Sequence, residues 1–297
     1  MDRAATPQRV LWIVLAINLA VSLTELVFGV VCGSLALISD GFHNLGDSGS
    51  LVISLIAAYL ATKKADFKRT FGYTRAEVIA GSINGFVLLV VAIFIIVHAI
   101  KRFFEPVEVV GEVMIIFGAL GFVVNAASTI LLKKPSKDDL NVRGAYLHMF
   151  FDALHSLAVV AGGILVSVGV GYVDETLSIL ISAFIVKSSV SLLRETLNIL
   201  LEGMPKDLSM EKVKGCIKGV NGVEDVHDIH VWSISSKRHA ISAHVVVKDQ
   251  SVKDAEALLC DIRERLKREC GINHATLQVE PTDSACDTCS FNQREEA

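Results

Sequence analysis

The sequence predicts a polytopic α-helical membrane protein with six transmembrane helices, followed by a small cytoplasmic α+β domain. The mean hydropathy of +0.52 is high for a soluble chain of 297 residues, and 52% of the residues are apolar. Charged residues are scarce up to about Leu201 and dense after it. About 20 apolar residues cross a bilayer as a helix. Six segments qualify: 10–31, 35–61, 77–104, 113–132, 142–168 and 173–201.

The distribution of basic residues predicts the orientation of these helices. Lysine and arginine occur in the amino terminus and are concentrated in the second and fourth connections, whereas the first and fifth connections have none. By the positive-inside rule both termini are therefore cytoplasmic. Lys101 and Arg102, in the third connection, are an exception. The first apolar segment lacks an early cleavage site of small residues, so we expect a retained helix and not a signal peptide.

A compact soluble domain is predicted after Gly203-Met204-Pro205, which end the last transmembrane helix. Apolar spacing predicts the element order αββαβ, with helices at 209–220 and 252–270 and strands at 223–235, 239–247 and 275–280. The predicted divisions are a transmembrane domain 1–204, a cytoplasmic domain 205–281 and a flexible tail 282–297. The six cysteines are spread too thinly for a disulfide framework, which fits a reducing cytoplasm.

Two His-x-x-x-Asp pairs lie inside the apolar segments. His43 and Asp47 are in the second segment, and His148 and Asp152 are in the fifth. Residues four apart share one helix face, and ionisable residues in a membrane span are costly and usually functional. Two such pairs can supply two imidazoles and two carboxylates, a donor set that suits tetrahedral Zn²⁺. Small residues flank both pairs and are expected to let the two helices approach closely.

Two further ionisable residues lie near the same helix faces. Asp40 is three residues before His43, and it either orients an imidazole from behind or caps the start of its helix. His155 is three residues after Asp152, and it either extends the site and relays protons or packs as a structural histidine.

Three motifs resemble the cation diffusion facilitator family, closest to its CzcD-like and zinc-transporter branch. SLALISDGFHNLGD at 34–47 resembles the second transmembrane helix of the family, and FGYTRAE at 71–77 resembles the opening of its third. VHDIHVW at 226–232 resembles part of its cytoplasmic domain. The likeness runs from about Val10 to Glu280, so it covers nearly the whole chain.

The resemblance implies a homodimer that exports zinc in exchange for protons, with a metal-sensing and dimerising cytoplasmic domain. It also implies that His43, Asp47, His148 and Asp152 form the transport site. Zn²⁺ is then both the transported substrate and a regulatory ligand. The ligands expected for the cytoplasmic site are His227, His244 and Glu280, with His274, Cys286 and Cys289 as further candidates. The alternative for His227 and His244 is that they merely alternate on strands that face solvent.

The ligand chemistry predicts coupling to protons. Metal ligation needs neutral histidine and ionised aspartate, so binding of zinc displaces protons, and protons that enter from outside compete zinc off the same side chains. We expect alternating access, in which the site opens inward to load metal and outward to exchange it.

Two departures from the family pattern limit the resemblance. Some members have a third metal site between the second and third helices, but here only Asp66 is present, and Arg69 and Tyr73 stand where histidines are expected. We therefore expect that site to be absent. The connection 133–143 is short and has no histidine, unlike the histidine-rich loop of many eukaryotic vesicular members. This favours a bacterial-type exporter in the plasma (inner) membrane.

Three other functions compete with zinc export as interpretations of these residues. Imidazole suits several metals, so an exporter of cobalt, cadmium, nickel or iron stays open. A non-transporting membrane sensor would need the cytoplasmic domain but not the intramembrane residues. An intramembrane metalloenzyme is disfavoured because the chain has no His-Glu-x-x-His and no evident general base. No basic block points to nucleic acid, and the expected partners are divalent metal ions, protons, the lipid bilayer and a second copy of the chain.

Overall fold

The structure is a computed structural model that describes residues 5–61, 66–133 and 140–282, with side chains described for 16–49, 59–60, 66–133 and 146–282. The predicted tail, with Cys286 and Cys289, lies outside the described residues. Contacts divide the described chain into two compact units. Of the described residues, one unit contains 5–56, 80–133 and 140–193, and the other contains 57–61, 66–79 and 194–282.

Six long helices form the first part of the chain, and their bounds lie within a few residues of those predicted, except that α1 begins five residues earlier. Among the described residues, α3, α4, the stretch Tyr146–Ser167 of α5, and α6 are long and apolar enough to cross a membrane, and α1 contributes the shorter apolar stretch Ala16–Cys32. The helices are α1 (Ala5–Cys32), α2 (Leu35–Ala61), α3 (Ala76–Arg102), α4 (Gly111–Lys133), α5 (Leu140–Ser167) and α6 (Val173–Leu200).

These helices expose apolar side chains and bury polar ones, which is the reverse of a soluble protein. Val30, Phe86 and Ile130 are exposed, whereas Ser22 and Ser182 are fully buried. In a bilayer, large apolar side chains face lipid, and polar groups are satisfied between helices. The pattern therefore provides a polar interior in which ionisable ligands can be held.

The start of α2 is fixed by an acid 140 residues further along the chain. Asp174, which is buried, accepts hydrogen bonds from Ser34 Oγ at 2.6 Å and from the Leu35 and Ala36 backbone N–H groups at 2.8 and 3.1 Å. Arg102 Nη1 lies 3.6 Å from Asp174 Oδ2 and donates to the Gly33 carbonyl. This pairing gives a local reason for Arg102, the exception to the positive-inside pattern, because its charge is neutralised by a buried carboxylate.

The remaining elements form the predicted αββαβ domain. They are α7 (Met210–Lys218), β1 (Val223–Ser235), β2 (Arg238–Val247), α8 (Val252–Cys270) and β3 (Ile272–Pro281). The sheet has the order β1-β2-β3, with β1 antiparallel and β3 parallel to β2. Both helices cover one face of the sheet, and the core includes Ile217, Ile241, Ile262 and Leu266. The predicted fold class is confirmed.

Two element bounds differ from the prediction for local reasons. The helix predicted at 209–220 begins at Met210, because Ser209 is its N-cap and accepts a hydrogen bond from the Lys212 N–H. The last strand begins at Ile272 and not at Ala275, because its pairing with β2 starts opposite His239. Gly271, in the left-handed conformation with φ of 66°, ends α8 and turns the chain into that strand.

Candidate metal sites

The structure brings the two His-x-x-x-Asp pairs of α2 and α5 together in a closed ring. His43 Nδ1 lies 3.6 Å from Asp47 Oδ2, and His43 Nε2 lies 3.5 Å from Asp152 Oδ1. His148 Nε2 lies 3.4 Å from Asp47 Oδ2 and 3.5 Å from Asp152 Oδ2. Each pair spans one helical turn, so its two side chains share a helix face. The two helices supply one imidazole and one carboxylate each.

The two separations from His148 Nε2, to Asp47 at 3.4 Å and to Asp152 at 3.5 Å, are close to the edges of a tetrahedral zinc site. With ligand distances of about 2.0–2.1 Å, neighbouring ligand atoms in such a site lie about 3.3–3.4 Å apart. Asp47 Oδ2 and Asp152 Oδ1 are also buried, and neither has a hydrogen-bond partner among the described residues. Buried carboxylate oxygens without donors are costly unless a cation neutralises them. The arrangement is therefore suited to hold a divalent cation.

His43 faces the two acids with different ring nitrogens, and His155 lies beside it. Two overlapping groups of three have ligand atoms within 4.8 Å of one another: Asp47, His148 and Asp152, and His43, Asp152 and His155. The rings of His43 and His155 are 5.0 Å apart, and both meet Phe184 edge-on. Asp152 belongs to both groups, so the structure places His155 where it can serve as an additional ligand.

Asp40 lies behind the site and does not cap its helix. α2 begins at Leu35, and its first turn is capped by Ser34 and Asp174. Asp40 is fully buried, and its Oδ2 accepts a hydrogen bond from Ser156 Oγ of α5 at 2.9 Å. The capping alternative is therefore wrong, and the described hydrogen bond of Asp40 joins α2 to α5 through a serine and not through an imidazole.

Glu25 is a buried acid in the same interior. It accepts a hydrogen bond from Asn44 Nδ2 at 3.2 Å and packs against Gly121, where an added Cβ would lie only 2.2 Å from Glu25 Oε1. The glycines of α2 play a different part from the one predicted, because a Cβ at Gly41 would meet Leu26 of α1 and one at Gly46 would meet Leu88 of α3. Gly41 and Gly46 therefore allow α2 to pack closely against α1 and α3. We had expected such residues to allow close packing between α2 and α5.

A second cluster forms across the sheet of the cytoplasmic domain. His227 of β1 and His244 of β2 are directly opposite each other, and Glu280 of β3 is paired with the strand position Val246. His227 Nε2 lies 3.1 Å from Glu280 Oε2, and His244 Nδ1 lies 2.7 Å from Glu280 Oε1. Glu280 is 7% exposed. Ligand atoms of the two imidazoles and the carboxylate lie within 4.8 Å of one another, a grouping that could hold a metal ion.

The structure does not bring His274 to this cluster. His274 is exposed at the opposite end of β3, six residues from Glu280, which is about 20 Å along an extended strand. Its ring contacts Phe71 at 5.4 Å. His239 Nδ1 lies 3.3 Å from Ser233 Oγ, and burial lowers the pKa of His239.

Sequence reasoning missed one residue beside this cluster. Asp228 lies 3.1 Å from His230 Nε2 and 3.8 Å from His244 Nε2. The signal was present in the chain, because Asp228 separates two histidines in VHDIH, but strand alternation alone assigns it to the opposite face from His227.

Comparison with known proteins identifies the chain. Residues 11–201 match the family model of the cation efflux transmembrane domain, and residues 205–282 match that of the cation efflux protein cytoplasmic domain. The chain belongs to the cation diffusion facilitator family. The resemblance drawn from its motifs is confirmed, and the chain is a multi-pass membrane protein of cation efflux.

Curated relatives cover most of this cation diffusion facilitator. It is 38% identical over 260 residues to a cadmium, cobalt and zinc/H(+)-K(+) antiporter of Bacillus subtilis, covering 86% of this chain and 83% of the relative. It is 36% identical over 294 residues to the metal cation efflux system protein CzcD of Cupriavidus metallidurans, covering 98% and 93%. The zinc transporter ZitB of Yersinia pestis is 34% identical over 286 residues, covering 95% and 91%.

The match to the cytoplasmic-domain model also bears on assembly. That match indicates that this family member dimerises.

In the connection between α2 and α3, the Asp66 carboxylate stabilises a turn. Asp66 Oδ1 accepts hydrogen bonds from the Lys68 and Arg69 N–H groups at 2.8 and 2.7 Å, and Arg69 Nη1 lies 3.8 Å from Asp66 Oδ2. Asp66 is thus engaged by the backbone and the arginine of its own turn.

Proposed function

We propose that this chain exports zinc across the membrane in exchange for protons, with His43, Asp47, His148 and Asp152 as the transport ligands. The observation that carries the proposal is the ring of these four side chains, in which imidazole and carboxylate atoms alternate at 3.4–3.6 Å. The cation efflux family and the metal-exporting relatives support the direction of transport.

The donor set matches the charge of the cargo. A divalent cation in a low-dielectric interior is stabilised when its charge is neutralised. Two aspartates cancel two positive charges, and two neutral imidazoles complete four ligands without adding charge. Imidazole and carboxylate together suit zinc.

Protons and zinc compete for the same atoms. The imidazoles must be neutral and the aspartates ionised to bind metal, so loading zinc releases protons, and protons arriving from outside release zinc. In this mechanism α2 and α5 present the ring alternately to the cytoplasm and to the outside, because each state binds one of the two ligands better.

The cytoplasmic cluster of His227, His244 and Glu280 is proposed to sense zinc. It offers three ligands and leaves a coordination position for the partner protomer or for the tail cysteines Cys286 and Cys289. Binding of cytoplasmic zinc would draw the two domains of the dimer together and favour transport. We place both termini in the cytoplasm on the distribution of lysine and arginine, and the protein in the plasma (inner) membrane on the short connection 133–143 without histidine.

Metal flux into vesicles under an imposed pH gradient tests the transport proposal. Zinc, cadmium, cobalt and iron are compared for the native protein and for His148→Ala, with His98→Ala as the matched control, since His98 of α3 is bonded to the Phe94 carbonyl within its own helix. We expect gradient-driven zinc flux that His148→Ala abolishes and His98→Ala retains. Zinc flux that ignores the pH gradient would contradict proton exchange.

The second candidate is export of another divalent cation. It is favoured by the B. subtilis relative, whose name includes cadmium and cobalt. The same flux comparison ranks the metals. A sensor without transport activity is tested by Asp47→Ala in cells, because full metal resistance in that variant would show that the intramembrane site is dispensable.

A further inference from the structure

A cavity of about 740 Å³ lies between the α2–α3 connection and strand β1, away from both metal clusters. All of its lining residues belong to the second compact unit. Two of them mark its level in the membrane, because Arg75 directly precedes α3 and Glu202 follows the end of α6 by two residues. The cavity therefore lies where transmembrane helices leave the bilayer, on the side of the cytoplasmic domain.

The lining of this cavity has an excess of positive charge. Among the described residues, three cations and one acid line it: Lys68, Arg69, Arg75 and Glu202. Arg75 Nη2 lies 3.1 Å from Glu202 Oε1, and Arg69 Nη1 lies 3.8 Å from Asp66 Oδ2. Lys68 forms no ion pair within the described part of the chain. An anionic group in the cavity would therefore meet one lysine whose charge is not neutralised, together with guanidinium N–H groups that the ion pairs leave over.

Another part of the wall is apolar. Strand β1 and the start of α7 contribute Met210, Ile229, Val231, Trp232 and Ile234. In the connection itself, Phe67 is fully exposed and Phe71 is half exposed, on either side of Lys68 and Arg69. Exposed aromatic side chains beside basic ones are typical of segments that lie at a membrane–water interface. The cavity thus suits a ligand that is anionic in one part and apolar in another.

We propose that this cavity binds the headgroup of an anionic phospholipid from the surrounding bilayer, with Lys68, Arg69 and Arg75 as the residues that face its phosphate. The connection 62–75 contains five basic residues and one acid. Basic clusters of this size next to a transmembrane helix attract anionic lipids. A headgroup in the cavity would contact both the connection and β1, and would join the cytoplasmic domain to the bilayer surface.

The fluorescence of Trp232 tests the proposal, because this side chain lines the cavity. The chain has two tryptophans, so Trp12→Phe leaves Trp232 as the single emitter. The delipidated protein in nonionic detergent is titrated with phosphatidylglycerol, with phosphatidylcholine of the same acyl chains, and with glycerol phosphate. We expect a saturable change in emission with phosphatidylglycerol, at least about fivefold tighter than with phosphatidylcholine, and no saturation with glycerol phosphate. Native mass spectrometry of the unmodified chain counts the bound lipid independently.

Substitutions that remove one charge each separate the cavity from the general surface. Lys68→Gln should weaken phosphatidylglycerol binding by about fivefold, and its combination with Arg69→Gln by about 25-fold. Lys68→Arg should retain binding, because it keeps the charge. The matched control is Lys206→Gln, since Lys206 pairs with Glu195 outside the cavity lining. We expect this control to bind phosphatidylglycerol with native affinity.

Three outcomes would overturn the proposal. Native affinity in the double variant, or an equal loss in Lys206→Gln, would show that general surface charge attracts the lipid. Equal affinity for glycerol phosphate and phosphatidylglycerol would identify the ligand as a soluble phosphate. Lipid binding in the mass spectrometer without a change in Trp232 emission would place the lipid elsewhere. None of these measurements depends on zinc flux, so the transport proposal stands or falls separately.

Discussion

The transmembrane and cytoplasmic sites use the same ligand types on different scaffolds. In the membrane, two helices supply two imidazoles and two carboxylates, and the acids Asp47 and Asp152 alternate with the histidines around a ring. In the cytoplasmic domain, three adjacent strands supply two imidazoles around one carboxylate, Glu280. The membrane site can neutralise a divalent cation by itself, whereas the cytoplasmic site retains one positive charge and an open position.

This difference fits the two proposed roles. A transported divalent cation in a low-dielectric interior needs ligands that fully compensate its charge. In the proposed alternating access, a shift of α2 and α5 allows the ion to be released. A sensing site next to water tolerates a net charge. Its open coordination position can be filled by a further ligand only when the partner protomer or the tail comes close to it. The predictions below follow from this contrast, from the largest expected effect to the smallest.

Removing the acid shared by both intramembrane groups should have the largest effect. Asp152 is 2% exposed and faces both His43 and His148. Asp152→Asn leaves the site with one carboxylate and an uncompensated positive charge, so we expect zinc flux into vesicles to fall by at least about 100-fold. Asp66→Asn, in the α2–α3 connection, is the matched control and should retain native flux. If the zinc flux of Asp152→Asn is within about tenfold of the native flux, transport does not need two carboxylates, and the proposed difference between the two sites is wrong.

Removing the single acid of the cytoplasmic site should affect sensing and spare transport. Glu280→Gln loses the ligand that contacts both His227 and His244, so we expect cytoplasmic zinc affinity to fall by about 100-fold. Chelator competition measures that affinity, and flux at saturating zinc should stay near native. Glu269→Gln on α8, whose acid pairs with arginines, should leave both quantities unchanged. Complete loss of flux at saturating zinc in Glu280→Gln would show that the two sites are not separable.

The cytoplasmic site should also depend on an apolar core. Leu266 of α8 is fully buried against the sheet that carries the ligands. Leu266→Ala should lower the free energy of unfolding of this domain by about 2–5 kcal/mol, measured by denaturant unfolding of the detergent-solubilised protein. Val252→Ala, at an 87% exposed position of the same helix, should change it by less than about 0.5 kcal/mol. Equal effects of the two substitutions would contradict the packing described for α8.

A surface ion pair should contribute least, and only above acidic pH. Lys218 Nζ lies 2.7 Å from Asp225 Oδ1, and this contact lowers the pKa of the Asp225 carboxyl. Because the folded pKa is below the unfolded value of about 3.9, the stabilisation is present above that value and is lost as the pH falls through the folded pKa. Since both side chains are about half exposed, we expect Asp225→Asn to cost less than about 1 kcal/mol at pH 7. The cost should shrink as the pH falls below the unfolded pKa and through the folded one, as measured by the same unfolding experiment, and a cost that grows on acidification would contradict this sign.

Local periodicity explains how much of the two sites could be predicted. His43 with Asp47, and His148 with Asp152, were predictable because residues four apart share a helix face whatever the helix packs against. His227 and His244 were predictable as ligands only through the family resemblance, since strand alternation alone is equally compatible with exposure to solvent. His274 was a further candidate under the same resemblance, and only the length of the extended strand β3 shows that it lies far from Glu280.

Long-range packing decided the features that were missed. The hydrogen bonds from the start of α2 to Asp174 join residues about 140 positions apart, and no local pattern indicates them. The Asp228 carboxylate is turned by a bulge in the β1–β2 pairing, so its direction depends on the register of two strands. His155 lies beside His43 because of the way α2 and α5 pack, and its spacing from Asp152 alone left its role open.

By itself, the sequence determined the membrane-spanning character of the chain, the order of its elements and the chemistry that each helix or strand can present. These properties depend on hydropathy and on the repeat of a single element, both of which are local. The tertiary structure alone decided that α2 and α5 are neighbours, that three strands place two imidazoles around one carboxylate, and which nitrogen of His244 faces it. These features arise from packing between residues far apart in the chain, where many arrangements satisfy the same local pattern.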